Sequence, residues 1–338
     1  MQQIRAFEGR SAWRRADFSG DDWIENLTTA ENEELRAAAL ALPEDETLWM
    51  DLTPDDISIV TLRQRLARVT SELDEGVGFA LLRGIDLPPD NVDYAYRVNW
   101  VLALLLGDVI AQNAKGELIG AVQDEVKTGD NGLETRGYVS NAELRFHCDG
   151  GDVASLLCVR QAPEGGESAL VSMVRIHNDM LRECPEHLET LYRGMEIHIR
   201  AEQGMASDTM PRQSIFMPQQ DHMLAWCNLR IMELPYEAKG EAMPAAERAA
   251  LDALEEIAER PENKFSFKMQ PGDMFLTHNF ICMHKRSAFV DDPAPNKNRF
   301  LLRLWYNIRG GRTERALSPD TRKGYFTKAP YVIRHKAG

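Results

Sequence analysis

From Glu117 onward the apolar residues of this chain leave helical spacing and gather into short runs broken by turn residues. The clearest are Ile119-Gly120-Ala121-Val122, Val153-Ala154-Ser155-Leu156-Leu157-Cys158-Val159 and Phe265-Ser266-Phe267-Lys268-Met269. Such runs, bounded by Gly, Pro and Asp, read as strands, so this part of the chain predicts a β-rich core. The sequence before it reads as mainly helical. Residues 31–42 are rich in helix formers and stop before Pro43, residues 61–73 set Leu62, Leu66, Val69 and Leu73 at helical spacing, and residues 92–106 predict a further helix. Phe79-Ala80-Leu81-Leu82-Arg83 reads as a short buried strand that ends at Gly84. Helical insertions interrupt the β region at residues 174–184, 186–193 and 244–260. Residues 201–218, with their Met, Ser, Gln and Pro, read as a long loop, a common form for a lid over substrate.

At 338 residues, with 43% apolar and 27% charged residues, the chain has the make-up of a soluble globular protein. Its longest apolar stretch, residues 100–106, falls far short of the roughly 18 residues a membrane span needs, which predicts no membrane partner. The start, Met1-Gln2-Gln3-Ile4-Arg5, lacks the apolar segment of a secretory signal, and a cytoplasmic location is the expectation. Cys148, Cys158, Cys184, Cys227 and Cys282 are scattered and never form CxxC, so they are read as reduced thiols. A formal net charge of −14 opposes binding of a nucleic acid and favours a small-molecule substrate.

Phe146-His147-Cys148-Asp149-Gly150 carries the first chemical signal. Residues i and i+2 of an extended chain point to the same side, so His147 and Asp149 can bind one ion together. A third ligand, His284, follows the turn Gln270-Pro271-Gly272-Asp273 and a predicted strand. Two imidazoles and a carboxylate on one face of an octahedral ion leave the opposite face open, which suits Fe(II) with a bidentate cosubstrate and O2. The same trio suits catalytic zinc, which keeps a hydrolase open. Downstream, Arg299, Leu301, Arg303 and Trp305 share one face of a predicted strand. An Arg on so apolar a strand needs a partner, either an acidic residue of the protein or a bound dicarboxylate.

Taken in combination, these blocks resemble the taurine dioxygenase and clavaminate synthase-like family of 2-oxoglutarate oxygenases. The resemblance runs from Asn141-Ala142-Glu143-Leu144-Arg145-Phe146-His147-Cys148-Asp149 through Pro163-Glu164-Gly165-Gly166-Glu167-Ser168 and Gly272-Asp273-Met274. It continues to His284-Lys285-Arg286-Ser287-Ala288-Phe289 and Arg299-Phe300-Leu301-Leu302-Arg303. It implies an α+β fold with a double-stranded β-helix (jelly-roll) core, flanking helices and helical insertions. A single oxygenase domain is expected over residues 1–338: a helical flank at 1–78, the core at 79–310 and a tail at 311–338. It further implies His147, Asp149 and His284 as catalytic iron ligands, Arg299 binding the distal carboxylate of 2-oxoglutarate, and Ser168 assisting that carboxylate where many relatives carry Thr. Arg303 matches a second family Arg that reaches cosubstrate or substrate. The implied activity is hydroxylation, or desaturation, of a small molecule coupled to decarboxylation of 2-oxoglutarate to succinate, because family halogenases replace the Asp149 carboxylate with a small residue.

Tyr138, Asn141, Glu143, Gln112, Asn113 and Lys115 are weaker candidates for a substrate pocket, and His278 for a group near the metal. The competing readings are a non-catalytic binding protein on the same fold and a zinc-dependent hydrolase. Neither substrate identity nor oligomeric state is fixed by the sequence, which is compatible with a homo-oligomer.

Overall fold

The computed structural model describes residues 4–88, 90–124, 141–198, 210–292, 294, 297–322 and 329–335. Its sheets are built from β1 (Ile24–Asn26), β2 (Phe79–Arg83), β3 (Asp108–Ile110), β4 (Ile119–Val122), β5 (Leu144–His147), β6 (Val153–Arg160), β7 (Ser168–Ser172), β8 (Phe265–Phe267), β9 (Met274–His278), β10 (Cys282–Arg286) and β11 (Phe300–Asn307). A seven-stranded sheet runs β1-β2-β9-β6-β11-β3, with β4 also paired to β11, and a four-stranded sheet runs β8-β7-β10-β5. Pairing is antiparallel except between β1 and β2. The two sheets face each other across a core that contains Phe79, Leu81, Cys158, Leu170, Phe265, Phe275, Ile281 and Leu301.

Helices cover both outer faces. On the larger sheet lie α1 (Thr29–Ala41), α2 (Thr61–Asp74) and α3 (Val92–Leu106), which bury Leu35, Leu62, Leu66, Val69 and Leu102 against Leu82, Leu157, Leu276, Leu302 and Leu304. The α1 start is set by Thr28, whose hydroxyl accepts from the Glu31 N–H while the Glu31 carboxylate accepts from the Thr28 N–H. On the smaller sheet lie α4 (Met173–Glu183), α5 (Leu188–Arg193), α6 (Leu229–Lys239) and α7 (Ala245–Glu259), packed on Phe146, Ala169, Val171 and Met283. Each fully buried Leu in these layers contributes roughly 1.5–3 kcal/mol.

The register of β11 follows from this layering. Leu302, Leu304 and Tyr306 join the helix-side core, which turns Leu301, Arg303 and Trp305 toward the space between the sheets. A slip of one residue would drive Arg303 into the helix-facing core, so the apolar pattern fixes where the cation points.

Many element boundaries follow the sequence reading, but β1 lies in the flank read as helical, β3 was not foreseen, and two further differences stand out. Helix α6 is absent from the sequence reading, and it holds Pro235 inside it. Proline removes the bond to the carbonyl four residues back, and here that carbonyl, of Ile231, accepts instead from the His198 N–H at 3.0 Å. Residues 201–218 are not all loop: Arg212–Gln213 pairs with Met195–Glu196, and Phe216–Pro218 pairs with Met223–Ala225. The proposed lid residues before 210, and Tyr138, lie outside the described residues.

Candidate metal centre and cosubstrate pocket

β5 ends at His147, and β10 sets His284 directly opposite it, with ring centroids 4.4 Å apart. His147 Nδ1 lies 2.8 Å from the Arg145 carbonyl, which can only accept, so Nδ1 is the donor and Nε2 is the ring nitrogen turned toward Asp149. Burial, with His147 alongside, pushes His284 down to about 3, which leaves that imidazole neutral at physiological pH. Asp149 follows β5 and points its carboxylate at both rings: Oδ1 is 4.0 Å from His147 Nε2, and Oδ2 is 3.7 Å from His284 Nε2. One ligand atom from each residue lies within 4.8 Å of the others, a spacing suited to a shared ion.

The backbone around Asp149 is pinned from several sides. Its N–H donates to Asn279 Oδ1 at 3.0 Å, and Asn279 Nδ2 donates to the Gly150 and Gly151 carbonyls. Trp226 Nε1 donates to the Asp149 carbonyl at 3.0 Å. The carboxylate accepts the Trp305 indole N–H at 3.2 Å and faces Arg303 Nη1 at 3.4 Å. Burial raises the carboxyl's proton affinity, but Arg303, the two imidazoles and the indole N–H outweigh it and hold Asp149 below its usual value. Two imidazoles and a carboxylate kept ionised form a donor set that fits Fe(II).

Arg299 sits at the foot of β11, just before Phe300, where the β11–β6 register shifts between Phe300 and Leu301. Its side chain is buried, with Nε donating to Gln161 Oε1 at 3.1 Å and the guanidinium 5.2 Å from the Phe289 ring. Nη1 is buried without a hydrogen-bond partner, and no described carboxylate pairs with the guanidinium, since Asp291 is used to accept the Arg299 backbone N–H. Burial pushes this guanidinium down to about 10. Arg286 packs on the same Phe289 ring, at 4.7 Å, and Ser168 stands opposite Arg286 in the β7–β10 register. Gly166 closes this corner at φ +72, where a Cβ would lie 3.0 Å from Gln161 Oε1 and 3.3 Å from Arg299 Nε. Only glycine fits that conformation and that gap without strain.

Of the weaker pocket candidates among the described residues, the structure draws in Gln112 alone. It is buried against Arg303, whereas Lys115 is exposed and Asn113 braces its own turn through Lys115 N and the Glu117 carboxylate. Asn141 and Glu143 lie on the outer side, with Glu143 paired to Lys285 at 2.8 Å. His278 is buried and accepts from the Phe280 N–H, and its neighbour Asn279 is the residue that reaches the metal centre. Asn279, Trp226 and Gln161 escaped the sequence reading because no local spacing announces a contact that far along the chain. A cavity of about 490 Å³ beneath the N-terminal segment, walled by Trp13, Phe18, Trp23, Glu72 and Phe79, includes no triad residue.

The chain belongs to the taurine catabolism dioxygenase TauD, TfdA family, which it matches over residues 50–305. It is 34% identical over 308 residues to the FR-33289 synthase of Streptomyces rubellomurinus (strain ATCC 31215), covering 90% of this chain and 91% of that protein. It is 28% identical over 316 residues to the taurine hydroxylase-like protein SAT17 of Stachybotrys chartarum (strain CBS 109288 / IBT 7711), covering 87% and 77%. Its fold resembles that of asparagine oxygenase solved with Fe(II), 2S,3S-3-hydroxyasparagine and succinate, at TM-score 0.67 and 17% identity over 91% of this chain and 99% of that one. It also resembles the non-heme iron oxygenase OrfP solved with Fe and alpha-ketoglutaric acid, at TM-score 0.63 and 15% identity over 90% and 99%. The architecture is thus the double-stranded β-helix, and the chain is an Fe(II)- and 2-oxoglutarate-dependent oxygenase. No helix of the described residues is long and apolar enough to cross a membrane.

Proposed function

We propose that this oxygenase, acting as one domain in the cytoplasm, hydroxylates an unactivated C–H bond of a small, amino-acid-sized molecule. His147, Asp149 and His284 hold Fe(II), Arg299 anchors the distal carboxylate of 2-oxoglutarate, and Ser168 lies on the strand that walls this anchor. Arg303 sets the positive charge beside Asp149. Bound there, iron with 2-oxoglutarate would supply the oxidising chemistry, in which the keto acid loses carbon dioxide and becomes succinate with one atom of O2 while the other becomes the hydroxyl of the product. The protein's own contribution is placement. Backbone bonds to Asp149 fix the carboxylate, and the Arg145 carbonyl orients the His147 ring.

The observation that carries this reading is the buried, unpartnered Nη1 of Arg299. Burying a guanidinium N–H without an acceptor costs on the order of 1–3 kcal/mol or more. A carboxylate received by the guanidinium fork repays that cost and adds directionality. Relatives of the same fold held Fe with alpha-ketoglutaric acid, and hydroxylated amino acids with succinate, which supports both the cosubstrate and the substrate size. The zinc-hydrolase reading has no use for this cation.

The test is succinate release from 2-oxoglutarate in the presence of O2 and a panel of small amino acids and their acylated derivatives. Fe(II)-loaded protein is expected to release succinate, and Zn(II)-loaded protein is not. Turnover of a hydrolysable substrate with zinc, without succinate from either form, would establish the hydrolase instead.

A further inference from the structure

Gln112 lies in the segment between β3 and β4, is 1% exposed, and touches no metal ligand, yet its amide engages Arg303 at both ends. Oε1 accepts from Arg303 Nε at 2.8 Å, while Nε2 donates to the Arg303 carbonyl at 2.8 Å and to the Leu118 carbonyl at 2.9 Å. One primary amide thus ties the side chain of Arg303 to its own backbone and to the segment leading into β4. An arginine has a long, flexible stem, and a bond at Nε alone fixes the plane of the guanidinium and so the direction in which the two Nη groups point. Here Nη1 points toward Asp149, 3.4 Å from Oδ2.

The neighbouring sequence accommodates this amide. Gly120 is the β4 residue opposite Arg303 in the register, and a Cβ there would lie 2.8 Å from Gln112 Oε1 and 3.0 Å from Gln112 Cδ. The segment is held from below by the chain's end. Leu118 N–H donates to the Val332 carbonyl at 2.9 Å, Ile119 N–H to the Ile333 carbonyl at 2.8 Å, and Val332 N–H to the Gly116 carbonyl at 3.0 Å.

We infer that Gln112 is a positioning residue that fixes the direction of the Arg303 guanidinium, and through it the charge presented beside the metal-binding carboxylate to any anion entering the site. The inference rests on the iron and 2-oxoglutarate reading above. The hydrogen bonds from Gln112 toward the metal-binding carboxylate run through Arg303, so the effect at the site is expected to pass through that residue.

That expectation makes a double-mutant cycle decisive. The measured quantity is the 2-oxoglutarate concentration that half-forms the visible absorption of the anaerobic Fe(II) complex, for wild type, Gln112→Met, Arg303→Ala and the double variant, with thermal melting as the control for folding. Gln112→Met is expected to raise that concentration about three- to tenfold, in the same direction as Arg303→Ala, and to add nothing in the Arg303→Ala background. Gly120→Ala displaces the amide without deleting a polar group, so it is expected to give a smaller shift of the same sign, and it serves the same cycle should Gln112→Met fail to fold. Additive effects, or wild-type binding in folded Gln112→Met or Gly120→Ala, would overturn the inference. If wild type itself forms no band, it is the cosubstrate reading that fails.

Discussion

The Trp305 indole N–H donates to Asp149 Oδ2 at 3.2 Å, reaching from the seven-stranded sheet to the loop that follows β5 in the other. The bond leaves Oδ1 as the carboxylate oxygen nearer to His147 and fixes the plane in which Asp149 offers its lone pairs. Trp305→Phe keeps the ring and removes only the donor. Iron affinity, measured by anaerobic Fe(II) titration, is expected to fall about 10- to 100-fold with little change in the melting of metal-free protein. Unchanged affinity would reduce Trp305 to a packing role.

Asn279 is the backbone brace of the same loop. It satisfies the Asp149 N–H and the carbonyls of Gly150 and Gly151, and its side chain is fully buried. Asn279→Ala leaves these groups unpaired and is expected to destabilise the metal-free protein by about 3 kcal/mol in urea unfolding. Asn279→Asp can still accept from Asp149 N–H but cannot donate to the glycine carbonyls, so it should also lose stability. A wild-type unfolding midpoint in both variants would contradict this role.

Gly166→Ala tests the proposed cosubstrate corner. The residue holds φ +72, and the added methyl would press on Gln161 Oε1 and Arg299 Nε together. The expected kinetic signature is a rise in KM for 2-oxoglutarate, about tenfold, larger than any fall in kcat, because the defect lies in binding rather than at the metal. A fall in kcat alone would place the corner elsewhere in the cycle.

His278 makes stability depend on pH. Burial lowers it from 6.5 to about 4, with Asp152 opposing and Arg312 and Arg322 assisting the shift. Because the unfolded state takes up the proton first as pH falls, the stabilisation from neutral His278 is complete above about 6.5 and is lost between there and about 4. The full loss amounts to about 3 kcal/mol. His278→Asn is expected to flatten that part of the stability–pH curve of the metal-free protein. A slope equal to wild type would show that the acid sensitivity comes from other groups.

What the sequence made legible is what local geometry dictates. His147 and Asp149 share a side because they are two apart on an extended segment, and Arg303 and Trp305 face the sheet interior because alternate residues of β11 feed the helix-side core. Helix α2 was readable from Leu62, Leu66, Val69 and Leu73, all of which are buried. Hidden were the features that depend on distant chain. In helix α6 the Ile231 carbonyl that Pro235 leaves unpaired is taken up by the His198 N–H, and Asn279 looks like an ordinary turn residue until the fold carries it to Asp149. Gln112 belongs with them, since its value lies in contact with an arginine that enters only at β11.

The measurement that bears most directly on the central claim is anaerobic titration of the Fe(II)-loaded protein with 2-oxoglutarate, followed by the visible charge-transfer absorption, in wild type and in Arg299→Ala. The expected result is a band in wild type, with Arg299→Ala requiring at least tenfold more 2-oxoglutarate to reach the same intensity, as loss of a charged hydrogen-bond partner worth about 1.5–3 kcal/mol requires. A folded, iron-loaded wild type without the band would contradict the cosubstrate reading. A band equally easy to form in both proteins would contradict Arg299 as its anchor.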